Sequence, residues 1–141
     1  MIINEQKVLK KYISYAIKHQ SFDKNSIRNF TDSENFSPFY IYKYFGDYKT
    51  LKIKAAEAFV AQVISSEYIN FNHITYSNFL DETIKYFKKH EYRNLLFLDD
   101  YCGKIIMNEY YIPSLRKYFK NNNEAELTFK YVCIVGMILK K

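Results

Sequence analysis

A chain of 141 residues, 48% apolar and 26% charged, with three Gly and two Pro, is too apolar and too poor in turn residues to be disordered or fibrous. It is long enough for one core but not for two large domains, and with no run of about eighteen uncharged apolar residues it is not expected to span or bind a membrane. The net charge of +6 is uneven: residues 1–54 hold ten Lys or Arg against five Asp or Glu, and residues 55–141 hold eleven against ten, so the basic end suits an anionic partner.

Residues 4–20 read as an amphipathic helix with Leu9, Tyr12, Ile13, Ala16 and Ile17 on one stripe and Asn4 as its N-cap. Ser21 closes it, and Phe22 is expected to dock into the core. Ser26 can cap a short helix over 27–33, with Ile27 and Phe30 facing inward. Asn35 then takes the turn, because Asn tolerates the left-handed conformation, and Phe36 follows as a buried anchor. Ser37–Pro38 is a strong helix start, Ser as cap and Pro at the first helical position. The helix FYIYKYF, 39–45, places Ile41 and Phe45 on one face and leaves Phe39, Tyr40, Lys43 and Tyr44 largely elsewhere. Gly46 ends it. Asp47 caps a long connector through about residue 70, with Leu51, Ile53, Ala55 or Ala56, Phe59, Val63 and Ile64 as its stripe.

Further helices are expected at about 75–89, 91–101, 103–110, 112–120 and 123–139, the last with Asn123 and Glu126 as a capping box. Cys102 and Cys133 read as free, half-buried thiols in a reducing compartment. The N-terminus, MIINEQKVLKK, lacks the apolar stretch and cleavage site of a secretory signal, and a cytoplasmic location is expected. His19, His73 and His90 form no ligand spacing, and Gly46, Gly103 and Gly136 are too isolated for a phosphate loop. Asp99–Asp100 beside Cys102 reads as a solvated helix end. An enzyme, a cofactor and a metal site are therefore not expected.

Residues 9–51 resemble, in one register without gaps, the head of the tetracycline-repressor (TetR/AcrR) family of transcriptional regulators. Phe22 stands at the family's Phe, with Ser26 four residues on at the cap. Phe30 stands at its Ile, Asn35 at its Gly, Phe36 at its Val and Ser37 at its Ser. Ile41–Tyr42–Lys43–Tyr44–Phe45 with Leu51 matches its motif Leu-Tyr-x-x-Phe-x-x-Lys-x-x-Leu. Ser21, Ser33 to Asn35, Phe39 and Tyr48 depart from the pattern. Tyr48 replaces a Lys that would touch phosphate, with Lys49 one position on.

The resemblance implies an all-α fold: a helix-turn-helix DNA-binding domain over 1–50, then a helical dimerisation and effector domain over 51–141, shorter than is usual in the family. It implies a homodimer that binds a palindromic double-stranded operator and regulates transcription, by family habit as a repressor. Lys24, Arg28, Lys43, Lys49 and Lys52 are the candidate cations for phosphate, and Ser26, Ser37 and Tyr42 can donate to the same groups. Phe39 and Tyr40 can touch thymine methyls, and Lys43 can reach a guanine edge or a phosphate. Phe39 can equally pack on the first helix, and Tyr44 can be half core.

Two heads on a two-fold axis fit half-sites roughly 34–36 Å apart, which gives dimerisation a purpose. The apolar last helix offers Phe129, Val132, Val135 and Leu139, with Gly136 for close approach. It can equally be a central helix of one monomer, or hold a strand at 131–135. Tyr76, Phe79, Tyr86, Tyr101 and Tyr110 either line a pocket for a small-molecule effector or fill the body solidly. The rival function is a small, dimeric, all-helical protein-interaction module that has lost DNA binding.

Overall fold

The structure is a computed structural model, and it describes residues 2–66, 92–111, 124 and 127. These residues are helical with short connections, and no strand occurs among them. The expected helices at 75–89 and 112–120, most of 123–139, and the alternative strand at 131–135 lie outside the described residues. Glu124 and Leu127 are helical and exposed. No helix among the described residues is long and apolar enough to cross a membrane.

Helix α1 spans Glu5–His19. Asn4 caps it as expected, its side-chain oxygen accepting from Lys7 N at 2.8 Å. Glu5 in the first turn and Lys18 and His19 in the last complement the helix dipole. The end comes one residue before Ser21. Gln20 takes the left-handed conformation (φ 56°), and Ser21 N donates to Ala16 O at 3.0 Å.

The buried face of α1 is Val8, Tyr12, Tyr15 and Ala16, whereas Leu9, Ile13 and Ile17 are only half-buried. The face is thus rotated from the expected stripe, toward the two tyrosine rings. Tyr12 tolerates complete burial because its hydroxyl donates to Phe22 O and accepts from Asn25 Nδ2 at 3.3 Å.

Helix α2 covers Ile27–Glu34. Ser26 Oγ accepts from Asn29 N at 3.1 Å, and Phe30 is fully buried beneath the helix. Asn35 sits at φ 57°, and Phe36 N returns to Thr31 O at 3.1 Å, which closes the turn. Phe36 is not the buried anchor expected. It is half-buried, edge-on to Phe30 at 5.4 Å between ring centroids.

Helix α3 is Phe39–Phe45. Pro38, not Ser37, stands at the N-cap, with helical angles (φ −55°) and no side-chain cap; Ser37 Oγ accepts from Phe39 N at 3.2 Å, so the Ser–Pro pair marks the helix start one position later than expected. Ile41 and Phe45 are buried. Gly46 ends the helix at φ +84°, a conformation that strains any residue with a Cβ. Asp47 Oδ1 then accepts from Thr50 N at 2.7 Å and starts α4, Tyr48–Ser66.

Leu51, Ala55, Ala56, Phe59, Val60 and Val63 form the buried side of α4, with Ile53 and Ile64 half-buried beside it. α4 packs against α1 and α3 and against the second of two later helices. These are α5, Arg93–Leu98, and α6, Asp100–Ile105, followed by a wider π-helical turn over Ile106–Tyr111. One core runs through all of them. Tyr12 meets Phe30 edge-on at 5.1 Å, Phe22 meets Phe59 at 5.3 Å, and Leu95, Leu96, Cys102 and Ile106 continue it. Cys102 is fully buried, not half-buried, and is a free thiol.

The break between α5 and α6 falls at Asp99, not after residue 101 as expected. Asp99 is extended (φ −67°, ψ 133°), and its Oδ2 caps α6 by accepting from Tyr101 N at 3.1 Å and Cys102 N at 3.0 Å.

Candidate nucleic-acid interface

Helix α3 has one face in the core and one outside. Ile41 is fully buried and Phe45 is 7% exposed, while Phe39 is 60% and Tyr42 55% exposed. Three residues apart, Phe39 and Tyr42 lie on the same side of the helix. Lys43 is exposed beside them, with its ammonium 5.3 Å from the Tyr44 ring centroid.

Tyr44 and Tyr40 are less free. Tyr44 is half-buried, and its hydroxyl donates to Ile3 O at 3.1 Å, which ties α3 to the segment before α1. Tyr40 is half-buried and leans on Phe36 at 6.5 Å and on Phe39 at 5.6 Å. The outermost edge of the helix is therefore Phe39, Tyr42 and Lys43.

The start of α2 lies near the start of α4. Tyr48 OH donates to Ser26 O at 3.2 Å, so Lys49, which is exposed, stands one residue from a bond to the α2 cap. Ser26 and Ser37 are both exposed and both accept a backbone N–H. A hydroxyl that accepts keeps its hydrogen for another partner. Arg28 is open to solvent, with Nε 3.8 Å from Asp32 Oδ2 across one helical turn. A pair that exposed adds little and yields easily to a phosphate.

Two expected features are explained by packing. Tyr48 is turned inward: its ring stands edge-on to Tyr12 at 5.7 Å and stacks on Phe30 at 6.4 Å. Burial raises the Tyr48 hydroxyl well above its ordinary value, and Tyr12 likewise, so both remain neutral donors. Lys52 is not a free cation. Its Nζ donates to Asp23 O at 2.7 Å and lies 4.6 Å over the Tyr48 ring. Burial lowers its pKa, opposed by Asp23 and Asp99. Among the described candidates, Lys24, Lys43 and Lys49 are exposed, and Arg28 is exposed with only the loose pair to Asp32.

The structure adds a residue that sequence reasoning placed wrongly. Asp99 is not a solvated helix end; it is 7% exposed. Besides capping α6, its Oδ1 accepts from Phe22 N at 2.7 Å and Asp23 N at 3.3 Å, in the loop between α1 and α2. One carboxylate thus fastens the loop before α2 to the start of α6. Burial pushes the Asp99 carboxyl up, as does the Asp23 carboxyl beside it, against the bonds from Cys102 N and Phe22 N. Asp23 is itself raised by burial, but hydrogen bonds from Asp99 and Ser21 outweigh this and leave it low. A proton is held more readily on Asp99 than on Asp23. The signal for Asp99 was present in the sequence as an Asp before an acidic first turn, DYCGKI.

Of the expected pocket residues, Tyr76, Phe79 and Tyr86 lie outside the described residues, as does the side chain of Tyr110. Tyr101 is half-buried on α6. A cleft of about 270 Å³ opens between Gln20–Lys24 and Leu98–Asp100, and it is acidic and polar, not aromatic. The expected dimerisation residues Phe129, Val132, Val135, Gly136 and Leu139 also lie outside the described residues. Comparison of the chain with family models, curated proteins and solved structures finds no match.

Proposed function

We propose that this chain is a dimeric, sequence-specific double-stranded DNA-binding regulator of transcription, acting in the cytoplasm in the manner of the tetracycline-repressor family that residues 9–51 resemble. In this reading 1–50 is a helix-turn-helix head, with α2 as the supporting helix and α3 as the helix offered to the major groove. Residues 51–141 form the body that joins two copies through 129–139. The observation that carries it is the split of α3, with Ile41 and Phe45 buried and Phe39, Tyr42 and Lys43 facing outward.

The chemistry follows from that edge. Lys24, Arg28, Lys43 and Lys49 would displace counterions from phosphates, and Ser26, Ser37 and Tyr42 would fix register by hydrogen bonds. Tyr44 contributes by holding α3 against the Ile3 carbonyl. Lying across a promoter, such a dimer excludes polymerase. A small molecule bound in the body would act by favouring one separation of the two heads.

A second reading is a dimeric protein-interaction module. It is favoured by Tyr48, which stands where the family has a phosphate-binding Lys and whose half-buried ring packs against Tyr12 and Phe30. A titration of the full chain against a randomised duplex pool separates the two. With about six to eight cationic contacts per dimer, affinity is expected to fall about a thousandfold or more between 50 and 200 mM salt. Absence of binding at any salt concentration would favour the protein-interaction reading.

A further inference from the structure

The outer edge of α3 lacks the side chains that read most bases. Residues 39–45, FYIYKYF, contain no Arg, Asn, Gln, Asp or Glu. Bidentate recognition of guanine by Arg, of adenine by Asn or Gln, and acceptance from cytosine by Asp or Glu are all unavailable to it. What it presents outward is the Phe39 ring, the Tyr42 ring with its hydroxyl, and one ammonium. A phenylalanine ring can discriminate only by the apolar surface it covers. The thymine methyl is the apolar group that a base pair shows in the major groove.

The ring of Phe39 is also held in place. Phe30, fully buried, meets Phe36 edge-on at 5.4 Å. Phe36 meets Tyr40 at 6.5 Å, and Tyr40 meets Phe39 edge-on at 5.6 Å. This file of rings runs from the core to the exposed edge. An aromatic side chain has two torsions, and packing on Tyr40 restricts them before any partner arrives.

We propose that α3 reads thymine by its 5-methyl group, through Phe39 and Tyr42, so that each half-site carries thymines opposite these two rings. This rests on the duplex-binding reading above. Lys43 then supplies attraction to phosphate or to one guanine, and sequence choice is methyl-directed.

The test uses the full chain and a duplex selected from a randomised pool. Each thymine of the selected half-site is replaced in turn by deoxyuridine, which keeps every hydrogen-bonding group and loses only the methyl. At the thymines under Phe39 and Tyr42 the expected loss is about fourfold per methyl, and about fifteenfold when both halves of a palindrome are changed. Phe39→Ala and Phe39→Leu, at a mostly exposed position, are expected to fold normally and to shrink the thymine–deoxyuridine difference. Lys43→Ala is expected to weaken both duplexes alike and to lower the salt slope. Equal affinity for thymine and deoxyuridine duplexes, with salt-dependent binding retained, overturns the methyl reading and leaves DNA binding standing. Failure to bind any duplex overturns both.

Discussion

The outer edge of α3 and the junction at Asp99 use their side chains in opposite ways. At the junction nearly every polar group has a partner: Asp99 accepts from Phe22, Asp23, Tyr101 and Cys102, Ser21 donates to Asp23, and Lys52 donates to the Asp23 carbonyl. On α3 two large rings stand more than half exposed, and the side-chain hydrogen bond described for the helix is made by Tyr44. Removing a junction residue should damage the fold. Removing an edge residue should leave the fold intact and change only what the edge touches. Packing thus separates the residues that hold the molecule together from those available to a partner.

The largest stability effect is expected for Asp99→Ala. It leaves four backbone N–H groups without their acceptor, at about 1–3 kcal/mol for each one that water cannot reach. With partial rescue by water the net loss is about 2–4 kcal/mol, read from the midpoint of urea unfolding. Asp99→Asn retains one oxygen and should lose less. An Asp99→Ala midpoint equal to wild type would show that the junction does not fasten the loop before α2 to α6.

Tyr48 sharpens the contrast, because one position bears on both regions. Tyr48→Lys restores the residue that the family resemblance expects. It removes the stacking on Phe30 and the bond to Ser26 O, for a loss of about 2 kcal/mol, and should tighten duplex binding at low salt. Tyr48→Phe keeps the ring and loses the bond alone, about 1 kcal/mol. If Tyr48→Lys stabilises the fold, the inward packing of the ring matters less than its contacts imply.

The pH dependence of stability tests the acid pair. The Asp99 carboxyl is raised above its ordinary value of about 3.9, so between the two values the folded protein binds more protons than the unfolded chain. Its stabilising contribution is complete below the unfolded value and is lost as pH rises through the raised one. Asp47 runs the other way. The Thr50 N–H holds it low, and its contribution is present above the unfolded value and lost as pH falls through the lowered one. Asp23→Asn removes the charge beside Asp99, so the Asp99 carboxyl should titrate lower and the loss of stability above pH 4 should flatten. Carboxyl chemical shifts across pH read this directly. An unchanged Asp99 titration in Asp23→Asn would refute the coupling.

The smallest expected stability effects are at the edge. Phe39→Ala and Tyr42→Ala should each move the unfolding free energy by no more than about 0.5 kcal/mol. A loss of several kcal/mol at either position would mean that the ring is part of the core.

What could be read from the sequence was local. Asn4, Ser26, Ser37–Pro38, Asn35, Gly46 and Asp47 act within three or four residues of themselves, so cap and turn chemistry located α1 to α4 closely. Ile41, Phe45 and Leu51 followed from spacing. The errors were non-local. Asp99 bonds to Phe22 N, 77 positions away, and Lys52 bonds to a carbonyl 29 positions away. On α1, Tyr12 and Ala16 are buried as the stripe expects, but Val8 and Tyr15 complete the buried face in place of Leu9, Ile13 and Ile17, because the rings of Tyr15 and Phe30 pack together across the two helices. Tyr48 looked like a lost phosphate contact; its half-buried ring instead packs on Tyr12 and Phe30, contacts between helices that spacing does not show.

The most direct measurement compares wild type with the double variant Phe39→Ala/Tyr42→Ala in one experiment: affinity for the selected duplex at fixed salt, with urea unfolding of the same samples. Loss of affinity by about a hundredfold or more, with an unchanged unfolding midpoint, is the result expected if the exposed side of α3 is the surface that meets DNA. Equal affinity in the two proteins would contradict it.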